Sequence, residues 1–217
     1  MSRLASTRTA ITARRLPGVS LLIALASVVI CFLEPLARNL QYDPAAIASG
    51  ELWRIVTCHL THWSLDHLFW DVLVFVVAGA ICEQENRSRF LACLGISAVA
   101  IPLAVWIVQP DLVFYRGLSG IDSALFILMA VTALGDAIRK RDLGWAIAVG
   151  LLSIGFIGKT IYEFTTGDTL FVDSQTAGMT PVVLAHVVGA VIGVATATIC
   201  RTAVRPRPAR PCEIQPV

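Results

Sequence analysis

The sequence predicts an all-α polytopic membrane protein, a bundle of six transmembrane helices, from three observations. Of its 217 residues, 56% are hydrophobic and 15% charged, a balance outside the range of soluble domains. Its mean hydropathy is +0.74. Its apolar residues also gather into runs of the length a span needs, roughly 20 residues for a hydrocarbon core of about 30 Å. The expected environment is therefore the lipid bilayer, spanned rather than touched. A net charge of +2, spread thinly, points to no nucleic-acid partner.

Taken in order, residues 1–17 form a basic, Ser/Thr-rich tail that resembles the start of a secretory signal. No small-residue cleavage site follows, so the next apolar run is expected to stay as the first span. The membrane domain is expected over 18–200, with apolar runs near 18–33, 64–82, 90–108, 118–134, 143–164 and 181–200, each bounded by charge, Pro or Gly. Between the first two runs, 34–63 is too polar to span, yet Leu52, Trp53, Ile55, Val56 and Leu60 make it too apolar for a plain linker. It is expected to lie in the outer interface. The loop 165–180 carries Asp168 and Asp173 and no cation, and could cap whatever opens outward. Residues 201–217 form a second tail, rich in Pro and Arg.

Six spans put both termini on one side. Thirteen of the seventeen Lys and Arg fall in the two tails and the 83–89 and 135–142 loops, leaving Arg38, Arg54, Arg116 and Lys159 for the other face. The positive-inside rule then places both termini in the cytoplasm, and a bacterial inner membrane is the expected location. The six cysteines, Cys31, Cys58, Cys82, Cys93, Cys200 and Cys212, show no metal spacing and are read as reduced, small apolar residues. No cofactor is implied.

Polar residues inside a membrane are costly and so are functional candidates by default. Gly117-Leu118-Ser119-Gly120 opens the fourth run. Glycines on either side allow a tight entry turn, and an amide at a helix N-terminus can stabilise an oxyanion. Equally, the serine could be a packing or capping residue. His186, with Gly189 and Gly193 at i+3 and i+7, shares one face of the last run. The two glycines form a small-residue stripe, answered in the fourth run by Gly120 and Ala124, that could bring His186 within reach of Ser119.

His59, His62, His67 and Asp71 cluster before and within the second run. Their spacing matches no strong zinc signature, so no metal is expected, and His59 and His62 are placed in the interfacial segment. Asp71 and Asp122, in different spans at compatible depth, raise an aspartyl-type pair. A local contact of Asp122 with Ser119 or Arg116 is the plainer explanation.

Together these residues resemble the rhomboid family from about Gly50 to Thr198. Gly50-Glu51-Leu52-Trp53-Arg54 resembles its Trp-Arg motif, His62-x-x-x-x-His67 the histidines that open its second span, and Ala78-Gly79-Ala80-Ile81-Cys82-Glu83 the close of that span. Gly117-Leu118-Ser119-Gly120 resembles the motif holding its nucleophile, and Ala185-His186-x-x-Gly189-x-x-x-Gly193 its final-span motif. The resemblance implies a six-span rhomboid-like bundle and an intramembrane serine protease acting on transmembrane protein substrates. Ser119 would be the nucleophile and His186 its base, with no third acid required. The Leu118–Ser119 backbone, His67 and residue 71 would support the oxyanion, and substrate would enter between spans two and five.

Two positions depart from the family pattern. Its usual Asn is Asp71 here, and a carboxylate would repel a developing oxyanion unless burial keeps it protonated. Ser123 stands where many relatives carry a Tyr beneath the histidine. Rhombosortase-like bacterial proteins, which process C-terminally tagged secreted proteins, depart similarly from the common pattern. The alternative reading is a pseudoprotease that binds transmembrane clients uncut. A transporter is disfavoured because no inverted repeat is visible.

Overall fold

A computed structural model describes residues 16–172 and 179–202. The tail up to Arg15, Asp173, and the tail from Ala203 with its Pro/Arg-rich stretch lie outside the described residues, as does the side chain of Cys200. The chain is helical: α1 (Gly18–Cys31), α2 (Glu34–Leu40), α3 (Pro44–Ala48), α4 (Arg54–Thr57), a 3₁₀ turn (Cys58–Leu60), α5 (Leu65–Glu85), α6 (Arg87–Val108), α7 (Ser119–Lys140), α8 (Leu143–Thr166) and α9 (Val183–Thr202). Among the described residues the only extended pairing is a bridge between Tyr42 and Tyr115.

Four helices, α5 to α8, are long and apolar enough to cross a membrane. Helix α1 meets that test only together with α2, from which it is bent by 118°, and the apolar part of α9 is the shorter Val183–Ile199. Among the described residues, four or five spans therefore have the length and composition of a full crossing. The 14 residues of α1 reach roughly 21 Å at 1.5 Å per residue, short of a full core. Side chains such as Phe69, Val77, Leu151 and Ile161 face outward, as lipid-facing positions require.

Two expected loops are much shorter than the apolar spacing implied. Only Asn86 separates α5 from α6, and only Arg141 and Asp142 separate α7 from α8. Arg87 and Arg89 lie in the first turn of α6, and Arg139 and Lys140 in the last turn of α7. Charged residues with good helix propensity carry a helix past its apolar stretch. The breaks are set by caps: Asn86 accepts from Arg89 N at 3.0 Å and Asp142 from Trp145 N at 3.0 Å.

Near the same end, the Glu83 carboxylate takes Val19 N, Ser20 N and Ser20 Oγ at 3.1, 2.9 and 2.9 Å, capping α1. Gly79 lies beside that seam, where a Cβ would stand 3.0 Å from Ser20 Oγ. The cysteines Cys31, Cys58, Cys82 and Cys93 are free thiols.

The 34–63 segment is folded rather than draped. Arg54, buried, donates through Nη1 to the carbonyls of Arg38 and Gln41 at 2.8 and 3.0 Å and through Nε to Glu51 at 2.6 Å. These contacts staple α2 to α4 and tie the segment to the loop before α7, where Tyr42 N donates to Tyr115 O at 3.1 Å.

Candidate active site

Helix α7 begins at Ser119, and its entry depends on Gly117, whose φ of +119° suits a residue without Cβ. Space demands glycine as well: a Cβ there would stand 2.9 Å from both Asp71 Oδ2 and His67 Nε2. The first-turn amides of α7 have no partners within the helix, and the buried Asp71 supplies one. Its Oδ2 accepts from Leu118 N at 2.8 Å and Ser119 N at 3.2 Å.

The same oxygen lies 3.3 Å from His62 Nε2 and 3.3 Å from His67 Nε2. Since His67 Nδ1 accepts from Trp63 N at 3.5 Å, the proton of neutral His67 sits on Nε2, facing Asp71. One carboxylate oxygen thus takes two backbone amides, the kind of donors an oxyanion needs, with two imidazoles at ion-pair distance, of which His62 Nε2 is not aligned to donate.

Helix α9 brings His186 to this point. Gly189 and Gly193 lie directly on α7: a Cβ on Gly189 would collide with the carbonyl oxygen of Gly120 and stand 3.2 Å from Ala124 N, and one on Gly193 would collide with Ala124 O. Gly120 in turn faces Ala185, where a Cβ would stand 3.2 Å from both Ala185 Cβ and its carbonyl oxygen. Residues 120 and 185 touch, which brings the first turns of α7 and α9 together at their neighbours Ser119 and His186. Both line a cavity of about 1080 Å³, shared with His67 and Asp71 of α5 and Lys159 and Glu163 of α8. Phe171 packs near Trp70 at its edge, ring centroids 5.1 Å apart.

Glu163 is the residue the sequence reading missed. It is 2% exposed and, with Val149, one of two buried residues on the otherwise peripheral α8. Its Oε2 lies 3.1 Å from His186 Nδ1, at ion-pair distance though not aligned as a linear hydrogen bond. Its Oε1 accepts from Lys159 Nζ at 2.6 Å. The signal was present in the sequence, a Lys and a Glu four apart near the end of an apolar run, which share one face and pair.

His59 and His62, within the 34–63 segment, are buried in the protein: they are 2% and 3% exposed, and His59 bridges Gly117 O and Ala98 O at 3.2 Å each. One local expectation is corrected. Arg116 does not meet Asp122. It bonds Gln41 Oε1 at 2.8 Å and His62 O at 3.1 Å and lies 4.6 Å from the Trp63 ring, because the folded 34–63 segment offers it several acceptors. Asp122 Oδ1 is buried without a hydrogen-bond donor. Ser123 turns back to its own helix, donating to Ser119 O at 2.8 Å, and leaves the histidine to Glu163. Among the described residues no group of three or more His, Cys, Asp or Glu is arranged to hold a metal ion.

Burial in this seam pushes the pKa of His59 down to about 4. The unfolded chain takes up a proton below roughly pH 6.5, while the folded chain resists doing so until about 4. This residue's contribution to stability is therefore complete above about 6.5 and drains away as pH falls toward 4, to a limit of about 3 kcal/mol. The midpoint of thermal unfolding in detergent should fall between pH 7 and pH 5, and His59→Gln should flatten that dependence.

Comparison with known proteins adds one match: the family model described as Rhomboid domain covers residues 49–203. A search of curated proteins returns no match.

Proposed function

Because the chain belongs to the rhomboid family, we propose that it is an intramembrane serine endopeptidase with Ser119 as nucleophile and His186 as base. The observation that supports this reading is the backbone contact of α7 and α9 through Gly120, Gly189 and Gly193, with Ser119 and His186 both lining one cavity. Ser119 Oγ forms a bond to a substrate peptide carbon as its proton passes to His186, and the carbonyl electron pair moves to oxygen. The leaving nitrogen takes the proton back as the C–N bond breaks. Water, deprotonated by His186, then frees the acyl group. Leu118 N, Ser119 N and His67 Nε2 are the donors for the oxyanion.

The substrate is a transmembrane segment unwound near the membrane surface, approaching between α5 and the peripheral α8. The six-span arrangement with both termini cytoplasmic, in a bacterial inner membrane, belongs to the same proposal. The departures at Asp71 and Ser123 set the chain beside the rhombosortase-like subgroup.

One observation favours a second reading, a non-cleaving binder of transmembrane clients: Asp71 Oδ2 already takes both backbone amides. Proteoliposomes holding the protein and a set of single-span fusion proteins, each with a Gly/Pro break near one membrane face, separate the two. The protease reading expects a discrete cut that Ser119→Ala abolishes while the variant still purifies as folded protein. Co-purification of fusion proteins without any cut, in wild type and Ser119→Ala alike, would favour the binder.

A further inference from the structure

We propose that Glu163 is a positioning residue for His186, so that the site works as a serine–histidine–glutamate array rather than as a two-residue pair. This rests on the reading of Ser119 as nucleophile and deepens it. The two oxygens of Glu163 divide their work: Oε1 is held by Lys159 Nζ at 2.6 Å and Oε2 stands 3.1 Å from His186 Nδ1. A buried carboxylate is expensive unless paired, and Lys159, on the same helix face, meets that need while fixing the direction of the second oxygen. Hydrogen bonds of this kind are often loosely aligned without substrate and tighten when it binds.

The consequence is chemical. A carboxylate at Nδ1 selects the tautomer with its proton there and leaves the Nε2 lone pair free for the Ser119 hydroxyl. When Nε2 takes that proton, the imidazolium sits beside a fixed negative charge, and Glu163 itself stays ionised. The other charged or titratable groups at this cavity are His67, Asp71, Tyr115, Arg116, Asp122 and Lys159, and among the described residues Glu163 is the one at ion-pair distance from His186. Helix α8 is thus the carrier of the third member, which explains why its single buried acid is here.

The test uses the full chain in detergent or liposomes at pH 8, where an ordinary His is neutral, and a fluorophosphonate probe. Glu163→Gln is expected to lower the rate of Ser119 labelling by about 10²–10⁴, with Glu163→Asp recovering most of it. Lys159→Met, which removes the same ion pair from its other side, is expected to cost less than about tenfold. Equal losses in Glu163→Gln and Lys159→Met would reduce the pair to a structural brace and overturn the proposal.

Histidine ¹⁵N NMR of the wild-type protein, with His186 assigned by its loss in His186→Gln, gives a readout that needs no variant of Glu163 to fold. Neutral His186 should carry its proton on Nδ1, and a proton on Nε2 overturns the assignment. Wild-type protein that does not label at Ser119 would strike the protease reading, and the tautomer would then decide the role of Glu163 by itself.

Discussion

Replacing Asp71 with Asn is expected to raise the rate of Ser119 acylation by about 10²–10³, the amount one oxyanion donor is typically worth. The geometry sets the direction. Leu118 N and Ser119 N donate to Asp71 Oδ2, and the Nε2 atoms of His62 and His67 lie 3.3 Å from it, so the backbone donors an oxyanion would use are already engaged by a fixed carboxylate. An arriving substrate oxygen must displace that carboxylate and then develop negative charge beside it. Asn is nearly isosteric. Its carbonyl can still accept from Leu118 N, holding the entry to α7, while its amide adds a donor where a charge stood. Fluorophosphonate labelling rates for wild type and Asp71→Asn, measured side by side, read the effect. A clear fall would give the carboxylate a positive role of its own.

Gly189→Val is expected to abolish labelling and to lower the midpoint of thermal unfolding in detergent. A single Cβ at this position collides with the backbone oxygen of Gly120, and backbone cannot rotate away as a flexible side chain can. The helices must move apart, with an overpacking cost typically of about 1–3 kcal/mol. The functional cost is larger, because a displacement of about 1 Å between reacting groups is worth about 10² in rate. Gly95→Val is the matched control: a Cβ at Gly95 meets nothing within 4 Å, and both properties should survive. Full labelling in Gly189→Val would show that the close approach of α7 and α9 is not what assembles the site.

Much of this arrangement was legible because it is periodic. The apolar runs mark the long helices, and the small-residue stripe of Gly189 and Gly193 answered by Gly120 and Ala124 identifies which two of them approach most closely. The helix ends were less legible, because Arg87, Arg89, Arg139 and Lys140 extend helices into stretches that charge alone marks as loops. The 34–63 segment was opaque for another reason. Its order comes from single long-range contacts, such as Arg54 on the carbonyls of Arg38 and Gln41, which leave no repeat to read.

Glu163 was harder to read: a two-residue site asks for no acid, and a Lys and a Glu four apart near the end of an apolar run read equally as a plain helix-surface ion pair. Asp71 was recognised as the departure that matters, but its position on the α7 amides depends on Gly117 letting the two elements meet, which is a tertiary fact.

The central claim is that Ser119 is a nucleophile made reactive by His186. Peptide mapping by mass spectrometry, after fluorophosphonate treatment of the reconstituted protein and of His186→Ala, tests it most directly. The account predicts an adduct on Ser119 in the wild-type chain and its loss in His186→Ala. An adduct on a different serine, or one on Ser119 that forms equally fast without the imidazole, would contradict it.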